Sequence, residues 1–231
     1  KTFHKVYGAE KGVVAGDLLC AQAFEALGSL DFDEETVSEC YAIVADALNA
    51  IYEGQYMDLA LEGALDCDED QFLKMLELKS GRLIEASARL GGILGGGSQE
   101  EVKALASYAK NLATAFQIQN DINNILGTEK KLGIKKATDL YRRKCSLPII
   151  HSLRSKNRNK AAAILSGELI TPKEVSGLVG LLQNNGSVEY AQNYVKCRLE
   201  KARKSLQKLR DSELKELMLK LAVFETHKWY W

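Results

Sequence analysis

The chain has 231 residues, 46% of them hydrophobic, enough for a sizeable globular core. Its 31 Lys and Arg balance 31 Asp and Glu. The zero net charge argues against a dedicated nucleic-acid binder, which carries a basic excess, and against an acidic disordered tail. The balance is a cancellation: residues 1–100 hold 7 basic and 19 acidic side chains, and residues 101–231 hold 24 and 12. The two halves either meet at one site or cover different surfaces. No run of about 18 apolar residues predicts a membrane span. The opening KTFHKVYG lacks the apolar core of a signal peptide. Five scattered cysteines (Cys20, Cys40, Cys67, Cys145, Cys197) form no CxxC pair and fit a reduced, cytoplasmic compartment.

The segment 13–27 comes first among the predicted elements. It is apolar on nearly every side and reads as a helix buried all round. Val37, Tyr41, Val44, Leu48, Ile51 and Tyr52 keep helical spacing, so one long amphipathic helix is expected over 36–62. Another spans about 69–95 and ends in the glycine cluster GGILGGG, suited to close helix packing. A helix over 99–126 opens on a capping box, Ser98 with Glu101. A basic, less regular stretch follows. Helices are then expected over 144–154 and 156–166. Thr171-Pro172 with Glu174 starts the next, over 171–184, and the last two cover 187–209 and 211–227. Only two prolines occur, and strand-like alternation is absent, so the expectation is one all-α domain over 1–231.

Several polar residues fall where such helices pack. Asn120, Asp121 and Asn124 stand at i, i+1 and i+4, so three oxygen-bearing side chains cluster on one side of a helix. They suit either a hard cation such as Mg²⁺ or a satisfied network of buried hydrogen bonds. Residues 130–160 hold 11 Lys and Arg against Asp139, which suits a diphosphate or a solvated surface. Lys79-Ser80 interrupts an apolar helix, with Lys79 either snorkelling or reaching a polar cavity. Gln55 and Gln117 read as ligands or as satisfied core amides. The three histidines lack metal-ligand spacing, and no P-loop, GxSxG or dinucleotide fingerprint occurs.

Read in order, these segments resemble the trans-type isoprenyl diphosphate synthases, or polyprenyl synthetases. His4, Tyr7 and Gly8 resemble the HxxYG that follows the family's first aspartate-rich motif. Residues 14–19 with Ala23-Phe24 resemble its LAGD-LL…AF helix, and Gly54-Gln55 with Asp58-Leu59 its GQxxDL. Lys79-Ser80 stands for a Lys-Thr pair, and Phe116-Gln117 for Phe-Gln. Gln119 to Asn124 falls on the second aspartate-rich motif. Asp139-Leu140, Arg143-Lys144 and Ser146-Leu147-Pro148 resemble DL…gK-TLP.

The resemblance implies long antiparallel helices around a central cavity, usually in a dimer, and the joining of an allylic diphosphate to isopentenyl diphosphate with Mg²⁺. It implies that Lys79, Ser80, Gln117, Lys144 and Lys135 contact the allylic diphosphate. Asp121, Asn120 and Asn124 would form the second metal motif. Three departures stand out. The chain begins where the first aspartate-rich motif would have just ended. The expected DDxxD reads Asn120-Asp121-Ile122-Asn123-Asn124. In the family's LGKxxGxD, the Lys position is Ile134, with Lys135 adjacent, and the later Gly is Ala137. These lead to the expectation of a degenerate or non-catalytic subunit acting with a catalytic homologue. The alternatives are an active synthase with a weakened second motif and a class I terpene cyclase-like enzyme.

Overall fold

The computed structural model describes residues 1–127, 137–167 and 169–222. Among them no strand occurs, and no helix is long and apolar enough to cross a membrane. Two compact units are present: Lys1–Asp46, and a larger one starting at Ala47.

The first unit holds α1 (Phe3–Tyr7), α2 (Ala9–Gly28) and the beginning of α3 (Glu34–Leu61). Asp33 caps α3, accepting from the Thr36 backbone N–H at 2.9 Å and its hydroxyl at 2.8 Å. Tyr41 on α3 donates to the carbonyl of Phe24 at 3.0 Å and stacks on that ring. The expectation that 13–27 is buried all round is overturned. Val13, Val14, Leu18 and Leu19 are 58–67% exposed, and only Leu27 of α2 is buried. Within its unit, α2 has a five-residue helix at one end and α3 near the other, too little surface to cover its length. An apolar sequence states a demand for burial; it does not supply the partner.

Along α3, the buried ridge is Cys40, Ile43, Ala47, Ala50 and Gly54, spaced by three and four. The larger residues of the expected stripe flank it half-buried, and Tyr52 is 63% exposed. Apart from Ile43, small side chains make the contact line.

In the second unit, the expected single helix over 69–95 is α4 (Glu69–Leu76), a π-helical segment (Glu77–Gly81) and α5 (Arg82–Leu94). The central element is α6 (Gln99–Leu126), which starts on the predicted capping box. Glu101 N–H donates to Ser98 Oγ at 3.3 Å, and Ser98 N–H to Glu101 Oε2 at 2.9 Å. Helix α6 packs on α5 where Gly92 leaves room; a Cβ there would stand 3.1 Å from both Val102 and Leu105. A short α7 (Thr138–Tyr141) follows, then α8 (Leu147–Arg154), α9 (Arg158–Leu165), α10 (Pro172–Asn184), α11 (Ser187–Ser205) and α12 (Glu213–Leu221). Thr171 and Glu174 cap α10 as expected, with Pro172 in its first turn.

Ile118, Ile122 and Ile125 of α6 anchor one core with Phe72, Leu76, Leu147, Ile150, Leu178, Leu182 and Val195. A smaller cluster of Tyr108, Ala109, Ala202, Leu206 and Ala222 closes the other part of α6. There the Tyr108 hydroxyl donates to the Met218 carbonyl at 3.0 Å.

Candidate diphosphate site

Four segments of the second unit converge on one pocket. Helix α3 contributes Asp58, and the π segment Lys79 and Ser80. Helix α6 contributes Gln117 and Asp121, and the turn before α8 contributes Lys144. Phe72, Met75 and Leu76 of α4 form the apolar wall.

Local backbone features place these side chains. Gly54 lets α3 touch the π segment backbone to backbone: a Cβ at 54 would lie 2.4 Å from Lys79 N and 2.7 Å from Lys79 Cα. One turn on, at i+4 and on the same face, Asp58 meets the Lys79 ammonium at 2.6 Å. The wider π turn is the local irregularity that carries Lys79 and Ser80 toward α3, as such bulges do at functional sites. On α6, Gln117 and Asp121 are also i and i+4, and Gln117 Nε2 donates to Asp121 Oδ1 at 3.4 Å. Lys144 approaches the same oxygen at 3.8 Å. Its backbone N–H donates to the Asp139 carbonyl at 2.9 Å, which closes the turn that presents it.

The electrostatics are those of a buried, crowded site. Burial pushes the Asp121 carboxyl up to about 7; the Lys144 charge and the Gln117 hydrogen bond oppose this, and Asp139 and Asp58 add to it. Burial alone would lower Lys144, but Asp121, Asp139 and Asp58 together outweigh it and hold the ammonium above its ordinary value. For Asp121 burial wins over the ion pair, because a carboxylate with 5% of its side chain exposed has little water left to solvate it. Lys144 is therefore held charged, while burial favours the protonated form of Asp121.

The residues expected to bind diphosphate are thus brought together, except Lys135, which lies outside the described residues. The three expected metal ligands are dispersed. Asp121 lines the pocket, and Asn120 is half-buried and does not. Asn124 is buried and turned to the protein: its Nδ2 donates to Thr138 Oγ1 at 2.8 Å, and its Oδ1 accepts from the Asp139 N–H at 3.1 Å. Among the described residues no group of three His, Cys, Asp or Glu is arranged to hold a metal ion. The two carboxylates of the pocket, Asp58 and Asp121, each face an ammonium, a poor chelate for Mg²⁺, which asks for several oxygens in octahedral array. The residue that sequence reasoning passed over is Asp58. It belongs to the GQxxDL-like segment, and its spacing from Gly54 was the available signal.

The polyprenyl synthetase family model matches residues 1–179. The chain belongs to that family. Its relatives include the short chain isoprenyl diphosphate synthase of Methanothermobacter thermautotrophicus, 32% identical over 225 residues, which cover 96% of this chain and 68% of that protein. The short chain isoprenyl diphosphate synthase of Methanocaldococcus jannaschii is 34% identical over 83% of this chain and 58% of its own length. The crystal structure of geranylgeranyl pyrophosphate synthetase from Pyrococcus horikoshii superposes with a TM-score of 0.87 at 31% identity, covering 96% of this chain and 68% of that one. The chain thus spans 58–68% of the length of these family members. Fold and family agree with the helical architecture around the pocket.

Proposed function

We propose that the pocket binds the diphosphate of an allylic prenyl diphosphate, and that the chain serves the family's condensation with isopentenyl diphosphate as an isoprenyl diphosphate synthase. The observation that carries this reading is the meeting of Lys79, Ser80, Gln117 and Lys144 in one pocket, from segments far apart in sequence.

In that reaction the bond from the allylic C1 carbon to the diphosphate oxygen breaks. The isopentenyl alkene attacks C1, and a proton leaves the new carbocation. The leaving diphosphate gathers negative charge as the bond stretches. Lys79 and Lys144 sit where their ammonium groups meet that charge, and Ser80 and Gln117 supply neutral donors to orient it. The wall of Phe72 and Leu76 keeps water from the developing allylic cation. The family generally uses Mg²⁺, which neutralises the departing diphosphate. The pocket's donors among the described residues do not fit a tightly held ion, and the steps above are carried by the side chains alone.

Binding of geranyl diphosphate, followed by calorimetry, tests the reading. A charge-assisted contact contributes about 1.5–3 kcal/mol, so Lys144→Ala or Lys79→Ala is expected to weaken binding roughly 10- to 100-fold. Wild-type affinity in both variants overturns the assignment.

A second reading is favoured by one observation: Asn124 is spent on the protein, and Asp121 alone remains of the second aspartate-rich motif in the pocket. The chain would then be a subunit that needs a catalytic homologue. Turnover of allylic and isopentenyl diphosphates by the protein alone favours the synthase; turnover only after adding the homologue favours the subunit.

A further inference from the structure

We propose that Asn124 is a positioning residue, a latch that holds the turn 137–144 against α6 and thereby presents Lys144 to the pocket. The inference rests on the diphosphate reading of that pocket for its functional consequence.

Asn124 holds three consecutive residues. Its backbone carbonyl, near the end of α6 where helix carbonyls lack intrahelical partners, accepts from Ala137 N–H at 2.9 Å. Its side chain then takes Thr138 Oγ1 at 2.8 Å and Asp139 N–H at 3.1 Å, one with each arm of the amide. Asp139 in turn accepts from Lys144 N–H at 2.9 Å through its own carbonyl. Lys144 is therefore two hydrogen bonds from Asn124.

The turn needs such a hold because its backbone is strained at both ends. Ala137 has φ 56° and Arg143 φ 55°, left-handed values that side chains other than glycine adopt at a cost. Ala137 is fully buried, and Gly63 N–H donates to the Arg143 carbonyl at 3.0 Å, so the far end is fixed as well. A strained segment persists where surrounding contacts over-determine it. Asn124 supplies those contacts at the α6 side. The same amide that reads as a lost metal ligand in sequence has both polar atoms committed to this turn.

Thr138 gives the sharper test, since it is no candidate ligand for a metal or a diphosphate. The probe is inorganic diphosphate in the presence of EDTA, which removes any contribution from divalent ions. Thr138→Val removes one arm's partner and is expected to weaken binding roughly two- to tenfold, and Thr138→Ser, which keeps the hydroxyl, to restore it. Asn124→Ala is expected to weaken binding roughly tenfold or more, with the Thr138→Val change adding little on top of it. Backbone amide exchange at Asp139 and Lys144 should speed up in Asn124→Ala and Thr138→Val. Wild-type binding and unchanged exchange in Thr138→Val, or a Thr138→Ser variant as weak as Thr138→Val, overturns the latch. If Asn124→Ala fails to fold, the Thr138 pair decides. If the wild-type protein binds no diphosphate, the pocket reading fails, and amide exchange alone then decides for or against the latch.

Discussion

Gly54→Ala tests the contact on which the pocket depends. The added methyl would stand 2.4, 2.7 and 2.9 Å from Lys79 N, Lys79 Cα and the Leu78 carbonyl carbon. All three are backbone atoms, so no side chain can swing away, and α3 must separate from the π segment. Overpacking of this kind costs about 1–3 kcal/mol, and a backbone clash belongs at the upper end. Ala is about 1 kcal/mol better than Gly inside a helix, which offsets part of it. The net is a loss of about 2 kcal/mol, or about 4–8 °C in melting temperature for a chain of this size. Gly91→Ala is the matched control. It lies in α5 with nothing within 4 Å of the added methyl, and should gain up to about 1 kcal/mol. Thermal melts of both variants, with diphosphate binding measured beside them, give the result. Separation of the backbones also moves Lys79 relative to Asp58, so affinity should fall only for Gly54→Ala. A Gly54→Ala protein as stable as Gly91→Ala, with undiminished binding, refutes the close approach.

Other expectations follow from burial and titration. Burial raises the Tyr108 phenol to about 12. A group raised in the folded state adds stability that is complete below its unfolded pKa near 10 and is lost as pH rises through about 12. Stability should therefore fall across that window, visible as a lower denaturation midpoint at pH 11.5 than at pH 9. Tyr108→Phe should cost about 1 kcal/mol at neutral pH by freeing the Met218 carbonyl, and should blunt the alkaline loss. A variant with the same alkaline slope as wild type would exclude Tyr108 as its cause. Thiol titration with an aromatic disulfide should find Cys197 fast, Cys20 slower, and Cys40, Cys67 and Cys145 silent until denaturant is added. More than two reactive thiols in the native protein would contradict the buried placement. Gly92→Val should destabilise by about 1–3 kcal/mol, because a Cβ already meets Val102 and Leu105 at 3.1 Å and further methyls force α5 from α6.

What the chain reveals by itself depends on how far apart the interacting residues are. The capping boxes at Ser98 and Thr171 are local, three residues from cap to partner, and they form as read. The pocket joins residue 58 to residue 144, and spacing along one helix says nothing about that distance. Only the resemblance placed Lys79, Gln117 and Lys144 together. The π segment leaves no mark in periodicity, since a single wide turn shifts the register of five residues inside an otherwise regular pattern. The contact ridge of α3 lies about one residue from the expected stripe because, apart from Ile43, it is made of Cys, Ala and Gly. A reading that weights large apolar side chains looks past these. For α2 the pattern was right about character and wrong about burial, since burial belongs to a pair of surfaces and only one of them is in those residues.

The charge balance with which the sequence opens takes a definite form at the pocket. Two ammonium groups and two carboxylates face one another there: Lys79 on Asp58, and Lys144 near Asp121. A diphosphate entering between them competes with the carboxylates for the same cations. The weaker competitor is Asp121. It is 3.8 Å from Lys144 rather than 2.6 Å, it shares that lysine with Asp139 and Asp58, and burial already lifts its carboxyl to about 7. Removing a well-solvated carboxylate from its partner costs little, whereas stranding a buried one costs several kcal/mol. A carboxyl that takes up a proton easily avoids that penalty. Lys144 can therefore be surrendered to an incoming anion at smaller cost than Lys79, and it is Lys144 that the turn from 137 is built to hold in place.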